Sequence, residues 1–278
     1  MLSALSRLLL SALVLSVLSM TAHAERFVLP DDAMVMQQIN KPAAVSLDPD
    51  SISVLVWNIY KGKMSDWSQD YHTLSANKDI LFLQEVWLNE EMTKVFNGDA
   101  VNSYLIATSF TDSWRDSTAT GVATVSATQP VSTSYIRSHY REPFTGTPKM
   151  GLFVEYAIAG HSQTLLAANI HAINFVSAKK YRHMLNQIEV TLKTHNGPVI
   201  LAGDFNTWGD ARVSALLEMT KRLELTEVTF KDDTRTRLMG NVLDWIFVRD
   251  LRIKKAAVSA AVGSSDHRAL EAELSLIR

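Results

Sequence analysis

Cysteine is absent from this chain of 278 residues. Its absence excludes disulfide bonds, a thiolate nucleophile and a metal site with thiolate ligands. An excess of positive charge is also lacking, because 27 Lys and Arg residues stand against 29 Asp and Glu residues and give a formal net charge of −2. The chain therefore has no general attraction for nucleic acid or anionic membranes, and such a partner would have to be recognised locally.

Several common catalytic motifs are missing as well. The sequence contains no GxxxxGK[ST] phosphate loop, no GxGxxG turn after the first strand, no HExxH helix and no GxSxG elbow. No serine stands in a setting that suggests a Ser–His–Asp triad. These absences argue against P-loop, Rossmann-type, zincin and α/β-hydrolase chemistry.

The N-terminus has the pattern of a secretory signal peptide. Arg7 is the only early charge, an apolar stretch covers residues 8–20, and small residues stand at Ala22 and Ala24. We expect residues 1–24 to be cleaved after Ala24, which predicts a periplasmic or secreted protein. The alternative is an uncleaved N-terminal membrane anchor, although the apolar stretch is shorter than the roughly 20 residues that a span requires.

The rest of the chain is predicted to form one soluble domain. Residues 25–50 contain prolines and acids without sustained periodicity and predict an extended lead-in. Residues 51–278 have no repeat, no linker and enough apolar residues for a large core. No later segment could cross a bilayer, so no stable membrane span is expected after signal cleavage, and we expect a monomer.

Strand patterns outnumber helix patterns in this domain. Short apolar or alternating segments bounded by turn residues predict nine strands, at 51–59, 79–86, 120–127, 151–159, 164–173, 198–205, 242–248, 256–262 and 269–277. One amphipathic helix is predicted to begin after its N-cap, Ser177, and to stop at Gly197. A second helix is predicted to begin with Asp210 as its N-cap, and a weaker helix is predicted to cover "NEEMTKVF". This balance favours an α/β fold of two mixed sheets packed together, with helices outside, over a doubly wound parallel sheet.

Polar side chains end or interrupt several of the predicted strands. The residues concerned are Asn58, Glu85, His171, Asp204, Asn206, Asp244, Asp266 and His267. Taken singly, each has a structural explanation as a cap, a turn residue or a hydrogen-bonded core residue. Taken together, oxygen ligands suit a hard cation such as Mg²⁺ or Mn²⁺, and two histidines beside acids suit proton transfer or stabilisation of an oxyanion. The set therefore points to metal-assisted phosphoester chemistry.

Six ordered motifs carry a family resemblance. "VWNIYKG", "LFLQEVW", "NIHAINF", "LAGDFNTW", "LDWIFV" and "SDHRAL" resemble the endonuclease/exonuclease/phosphatase superfamily with its DNase I-like fold, and in particular its uncharacterised bacterial YafD-like branch. The resemblance spans about residues 50–277. It implies a four-layer α/β sandwich, in which two mixed β-sheets pack face to face with helices outside, and a metal-dependent phosphoesterase site at one edge.

The resemblance also implies a metal site. Glu85 of "QE" would be the principal ligand of Mg²⁺ or Mn²⁺, Asn58 of "WNI" would lie beside the metal and the phosphate, and Asp266 of "SDH" would join the same region. His171 of "NIH" would contact a non-bridging phosphate oxygen. One-metal and two-metal schemes use the same residue types, so the number of metals stays open.

The remaining motif residues are implied to act on the water and on the phosphate charge. Asp204 of "GDFN" would orient and deprotonate the attacking water, and Asn206 would hold an oxygen of the phosphorane. Asp244 of "LDW" would pair with His267, orienting the imidazole and favouring its protonated form. One departure is that Arg268 and Ala269 follow His267, where many members have an aromatic or small residue and then proline. The resemblance therefore implies neither the local loop shape nor the substrate class.

The function expected from these observations is an exported Mg²⁺-dependent phosphodiester hydrolase. Nucleic acid is the first substrate expected, with a local surface formed by Lys61, Lys63, Trp114, Arg115, Arg137, Arg141 and Lys149. Scattered surface and core positions are the simpler interpretation of those seven residues. The alternatives are a phospholipid- or sphingomyelin-type phosphodiesterase, an inositol-phosphate phosphatase, and a catalytically silent envelope binding protein.

Overall fold

The computed structural model describes residues 25–259 and 263–277. The predicted signal peptide, residues 1–24, lies outside the described residues. Within the described part of the chain, no helix combines the length and the apolar character needed to cross a membrane.

The first sheet has eight strands and holds the N- and C-terminal parts of the domain. Its strands are β1 (Phe27–Val28), β2 (Met36–Ile39), β3 (Ile52–Asn58), β4 (Ile80–Trp87), β5 (Ser103–Asp112), β6 (Thr118–Ser126), β15 (Leu251–Val258) and β16 (Leu270–Leu276). The order is β1-β5-β6-β4-β3-β16-β15, and β2 pairs with β5. Because β3 and β4 run parallel and the other pairs are antiparallel, the sheet is mixed.

The second sheet has six strands from the middle of the chain. Its strands are β7 (Pro130–Arg137), β8 (Met150–Ala157), β9 (Thr164–His171), β10 (Val199–Asp204), β11 (Thr226–Glu227) and β14 (Asp244–Arg249). The order is β11-β14-β10-β9-β8-β7, and only β9 and β10 pair in parallel. A two-stranded hairpin of β12 (Arg237–Leu238) and β13 (Asn241–Val242) precedes β14.

In the part of the chain that the structure describes, four α-helices cover the outer faces of the two sheets. They are α1 (Trp67–Ser75), α2 (Glu90–Asn97), α3 (Ala178–Leu192) and α4 (Asp210–Arg222). One apolar cluster fills the space between the sheets, a second packs α1 and α2 on the first sheet, and a third packs α3 and α4 on the second. The four-layer α/β sandwich expected from the sequence is therefore confirmed.

Some elements differ from the sequence prediction. Strands β5 and β7 were missed, because serine and threonine interrupt the apolar pattern of β5, and β7 is an exposed edge strand that begins with proline. The last hairpin also begins earlier than predicted, since β15 covers Leu251–Val258 instead of 256–262. Residues 25–50 are extended as predicted, but they pair with β5 and supply Val35 and Leu47 to the core between the sheets.

The helix ends follow local capping chemistry. Ser177 is the N-cap of α3, and its side chain accepts a hydrogen bond from the backbone N–H of Lys180, as the sequence predicts. The helix ends at Leu192, five residues before the predicted stop at Gly197. Asp210 is the first residue of α4, and Gly209 is its N-cap.

Gly203 allows two strands of the second sheet to meet beside the polar strand ends. It lies in β10 opposite Ile170 of β9, and its φ is +138°, which residues with side chains rarely adopt. A Cβ at this position would lie 1.9 Å from the backbone oxygen of Ile170. The contact fixes the spacing of the strands immediately before Asp204 and His171.

We expect Gly203→Ala to lower the free energy of unfolding by at least about 3 kcal/mol, because β9 and β10 must separate to admit a methyl group. Thermal unfolding followed by circular dichroism measures the effect. The control is Gly209→Ala, where a Cβ meets nothing within 4 Å and the expected cost is below about 1 kcal/mol. Equal melting of the two variants would contradict the tight strand contact.

Candidate active site

Three of the predicted site residues lie side by side across the second sheet. Asp204 ends β10, and it pairs with His171 at the end of β9 and with Asp244 at the start of β14. Register partners on adjacent strands have side chains on the same face of a sheet. The strand pairing alone therefore brings two carboxylates and an imidazole together.

The first sheet contributes groups to the same point. Asn58, at the end of β3, donates a hydrogen bond from Nδ2 to Oδ2 of Asp204 at 3.1 Å. The loop before β16 is tied to the end of β3, because Ser265 Oγ donates to the backbone oxygen of Asn58 at 2.6 Å and Trp57 Nε1 donates to that of His267 at 3.1 Å. The site thus lies where the two sheets face each other at one edge.

Asp204 is a deeply enclosed charge of the site, with 2% of its surface exposed. Its Oδ2 lies 3.5 Å from Nε2 of His171 and 4.0 Å from Nε2 of His267, and its Oδ1 accepts the backbone N–H of Asn206 at 2.9 Å. Burial raises the pKa of Asp204 to about 6; His267 lowers this pKa, and the charge of Asp244 raises it. The carboxylate is consequently a stronger base than an ordinary aspartate.

His267 is paired with Asp244 as the resemblance implies. Its Nδ1 lies 2.8 Å and 3.0 Å from the two carboxylate oxygens of Asp244, which is 2% exposed. Burial alone lowers the pKa of His267, but the carboxylates of Asp244, Asp204 and Asp266 outweigh it and raise the pKa to about 10. This imidazole is therefore positively charged at neutral pH.

His171 has the opposite electrostatic state. Burial lowers the pKa of His171 well below its usual value, and the positive charges of Lys149, His267 and Lys61 lower it further. The site therefore holds a neutral imidazole and a charged one within 4.0 Å of the same oxygen of Asp204. Such a separation of protonation states is typical of sites that divide proton transfer from charge stabilisation.

Glu85 is aimed by an irregularity in β4. The pairing of β4 with β6 shifts register between Leu83 and Val86, and Glu85 has φ of +53°. A β-bulge of this kind re-aims a side chain at a strand end. The Glu85 carboxylate is 23% exposed and lies 3.9 Å from Nζ of Lys61. A buried strand thus presents a carboxylate at the edge of the cleft.

Asn58, Glu85 and Asp266 have donor chemistry that fits a hard divalent cation. Partial burial raises the pKa of Asp266; the charge of His267 lowers this pKa, and the charge of Glu85 raises it. Glu85 and Asp266 are thus close enough to repel each other, and a bound cation would relieve this repulsion. Two carboxylates and an amide oxygen are ligands that Mg²⁺ and Mn²⁺ accept.

A second group of possible ligands is Asp204, Asp244 and His267, whose ligand atoms lie within 4.8 Å of one another. His267 already uses Nδ1 for Asp244, and a protonated imidazole has no free lone pair for a metal. These three residues therefore form a hydrogen-bonded charge cluster, and Asn58, Glu85 and Asp266 are the oxygen donors that could hold a cation.

Asn206 has a structural role in addition to its expected one. Its amide already has protein partners, because Nδ2 donates to the backbone oxygen of Ala172 at 2.9 Å and Oδ1 accepts from Nδ2 of Asn174 at 2.7 Å. Ala172 takes only one of the two Nδ2 hydrogens, so contact with a phosphorane oxygen would need neither bond to open. In this structure Asn206 ties the β10 loop to the β9 loop.

A cleft next to the charge cluster contains two lysines. It is partly open to solvent, has a cavity volume of about 80 Å³, and is lined by Lys61, Glu85, Glu142, Lys149 and His171 among others. Lys149 Nζ lies 3.7 Å from Glu142, and Lys61 Nζ lies 3.9 Å from Glu85, so both pairs are longer than hydrogen bonds. These ammonium groups can therefore turn toward an anionic ligand at small cost.

The seven residues considered from the sequence as phosphate or base contacts do not form one surface in the structure. Lys61 and Lys149 line the cleft. Arg137 bonds to the backbone oxygen of Pro30 and pairs with Asp32, and Trp114 packs against the guanidinium of Arg26. Sequence reasoning missed Glu142 and Asn174, because neither stands at a strand end, although Asn174 falls inside the quoted motif "NIHAINF".

Comparison with known proteins shows the family to which the chain belongs. The model of the endonuclease/exonuclease/phosphatase family matches residues 55–267, which include every candidate site residue. The chain belongs to this family, whose hydrolases include nucleases and phosphatases, and the family resemblance read from the six motifs is confirmed.

Relatives within the family have uninformative names. A UPF0294 protein of Vibrio campbellii is 36% identical over 227 residues, covering 81% of this chain and 78% of its own. A UPF0294 protein of Klebsiella pneumoniae is 34% identical over 254 residues, covering 91% and 92%. The structure of an endonuclease/exonuclease/phosphatase from Bacteroides vulgatus superposes with TM-score 0.64 at 16% identity, covering 82% and 99%, which shows a shared fold.

We expect Asp244→Asn to lower kcat on bis(p-nitrophenyl) phosphate by at least about 10²-fold with little change in KM, because the His267 ring loses its charged partner and its fixed orientation. Steady-state kinetics measure the split between kcat and KM. The control is Asp79→Asn, because this carboxylate is also hydrogen-bonded, to Ser53, but lies at the opposite end of β4. An equal loss in both variants would indicate a structural effect only.

Proposed function

We propose that this protein is an exported, divalent-metal-dependent phosphodiester hydrolase that acts on nucleic acid. The observation that carries the proposal is the Asp204 carboxylate, shared within 4.0 Å by a neutral His171 and a charged His267. Export rests on the sequence pattern of residues 1–24, and hydrolysis rests on the family and on the geometry of the cluster.

The chain's own residues divide the work of attack on a phosphodiester. Asp204 accepts a proton from the attacking water, and a raised pKa suits a base that works near neutral pH. The imidazolium of His267, oriented by Asp244, offsets charge that develops on the phosphate oxygens. Neutral His171 donates a hydrogen bond from Nε2 to a non-bridging oxygen.

Asn58, Glu85 and Asp266 would hold the metal ion. A bound divalent cation supplies Lewis-acid polarisation of the phosphoryl oxygen and reduces the charge repulsion of an incoming nucleophile. The oxygen donors of this set favour Mg²⁺ or Mn²⁺ over softer metals.

The cleft supports a substrate that carries more than one negative charge. Lys61 and Lys149 lie in the cleft beside His171 and hold no short ion pair with the facing glutamates. A polyanion would place a neighbouring phosphate there, and such contacts give most of the affinity for nucleic acid. The overall charge of −2 does not oppose this, because the recognition is local.

We expect Asp204→Asn to lower kcat by about 10²–10⁴-fold, because the amide cannot accept the proton of water. Its melting temperature in EDTA should equal or exceed that of the wild type, because a buried carboxylate is replaced by a neutral group of the same size. The control is Asp210→Asn, an exposed carboxylate six residues further on that bonds to Asn241.

A substrate panel decides between this proposal and its alternatives. Plasmid DNA, RNA, sphingomyelin and bis(p-nitrophenyl) phosphate would each be tested with Mg²⁺, Mn²⁺ or EDTA. Hydrolysis of DNA or RNA that Asp204→Asn abolishes supports the proposal. Near-normal hydrolysis by Asp204→Asn contradicts the site assignment, and no turnover of any substrate favours a silent binding protein.

We expect Glu85→Gln to raise the Mg²⁺ or Mn²⁺ concentration needed for half-maximal activity by at least about tenfold, because the amide removes the charge of the principal ligand. The same variant should lose most of the metal-dependent rise in melting temperature, which needs no substrate. The control is Glu155→Gln, whose carboxylate accepts hydrogen bonds from Thr164 and Ser132. An unchanged metal response in Glu85→Gln would refute the ligand assignment.

A further inference from the structure

Two phenylalanine side chains stand in solvent beside the cleft. Phe144 is 81% exposed and Phe175 is 58% exposed. Their rings are in contact, with centroids 5.5 Å apart and an interplanar angle of 73°. Thr145, next to Phe144, lines the cleft together with His171, and Phe175 follows His171 by four residues. The pair therefore forms an exposed aromatic surface at the edge of the active site.

Phe175 is fixed in place by the catalytic loops. Its φ is +53°, an unfavourable conformation for a bulky residue. The conformation is held by its neighbour Asn174, whose Oδ1 accepts the backbone N–H of Phe175 at 2.8 Å and the indole N–H of Trp208 at 2.7 Å. Asn174 Nδ2 in turn donates to Asn206 at 2.7 Å. The ring is thus attached by hydrogen bonds to the loop that follows Asp204.

Phe144 lies on a turn that is joined to the same network. The turn is closed by backbone hydrogen bonds from Glu142 N to the oxygen of Thr147 and from Gly146 N to that of Glu142, both at 2.9 Å. The Glu142 side chain accepts the backbone N–H of Asn174 at 2.9 Å. Hydrogen bonds therefore join the two loops that carry the rings to each other and to the loop that follows Asp204.

We propose that Phe144 and Phe175 form a stacking subsite for an unpaired nucleobase that flanks the scissile phosphate, so that the substrate is single-stranded nucleic acid. The inference rests on the phosphodiester hydrolysis proposed above and narrows its substrate class.

Charge complementarity favours a nucleic acid strand as the occupant. Lys61 and Lys149 lie in the cleft that adjoins the two rings. A single strand alternates phosphates, which suit the lysines, with flat bases, which suit the rings. In a duplex the base faces are covered by their neighbours, so the rings can stack only on an unpaired base. Inositol phosphates carry charge but have no flat face for the rings.

The test compares the wild type with Phe144→Ala and Phe175→Asn on two single-stranded oligonucleotides, one complete and one with abasic residues around the cleavage position. We expect each variant to lose about 5- to 100-fold in kcat/KM on the complete strand. The loss on the abasic strand should be at least fivefold smaller, because no base is left to stack. Asparagine tolerates positive φ, so Phe175→Asn keeps the loop conformation.

Binding gives a second measurement that does not need catalysis. Fluorescence anisotropy in EDTA should show that the wild type binds the complete strand with a lower Kd than the abasic strand. This preference should be lost in Phe144→Ala and Phe175→Asn and retained in Phe144→Trp. The control is Val190→Ala, which removes a 67% exposed apolar side chain near the far end of α3. Its kcat/KM and Kd should match those of the wild type.

Three results would overturn the subsite. The first is that the Phe144 and Phe175 variants lose equal kcat/KM on the complete and abasic strands. The second is that the wild type cleaves duplex and single strands equally. The third is that the variants lose more kcat/KM on sphingomyelin vesicles than on the complete strand, which would indicate a lipid surface. Failure of the wild type to hydrolyse any phosphodiester would instead refute the proposed function. The anisotropy comparison would still decide whether the rings bind a base.

Discussion

Burying the carboxylate of Asp204 is costly unless neighbouring groups replace the lost water. The compensation comes from both sheets, since Asn58 belongs to the first and His171 to the second, and from His267 in the loop before β16. Burial raises the pKa of Asp204, whereas the hydrogen bond from Asn58 and the charge of His267 lower it. These contacts also require the strand ends to stay in fixed register. The arrangement that makes this carboxylate basic is therefore also the one that holds the two sheets together at this edge.

Polar contacts behind the site maintain that register. Gln84 in β4 donates to Asn169 in β9 at 2.7 Å, and Asn169 donates to the backbone oxygens of Leu83 and Ala123 at 3.2 Å and 2.9 Å. Both amides are fully buried. Apolar packing tolerates sliding of one sheet on the other, whereas directed hydrogen bonds do not. Since Gln84 precedes Glu85, this tether also positions the strand that presents the proposed metal ligand.

The sequence predicted most of this site because its residues stand at strand ends after apolar runs, where a periodic pattern breaks visibly. This pattern marks Asp204, His171 and Asp244, and strand pairing then brings the three side chains together. Residues in loops left no such signal. The role of Asn174 depends on which backbone groups its amide reaches, and the bulge that re-aims Glu85 depends on pairing with β6. Both are tertiary facts that periodicity does not encode.

The distribution of charge explains how an acidic site can receive a phosphate. Asp204, Asp244, Asp266 and Glu85 gather at one edge, and without compensation they would repel the substrate. The imidazolium of His267 offsets part of this charge from within the cluster, while the lysines of the cleft act from its side. What remains is the repulsion between Glu85 and Asp266, at the position that suits a divalent cation. Under the proposed function, metal binding and substrate binding are coupled, because the cation offsets the charge of the carboxylates that would otherwise repel the phosphate.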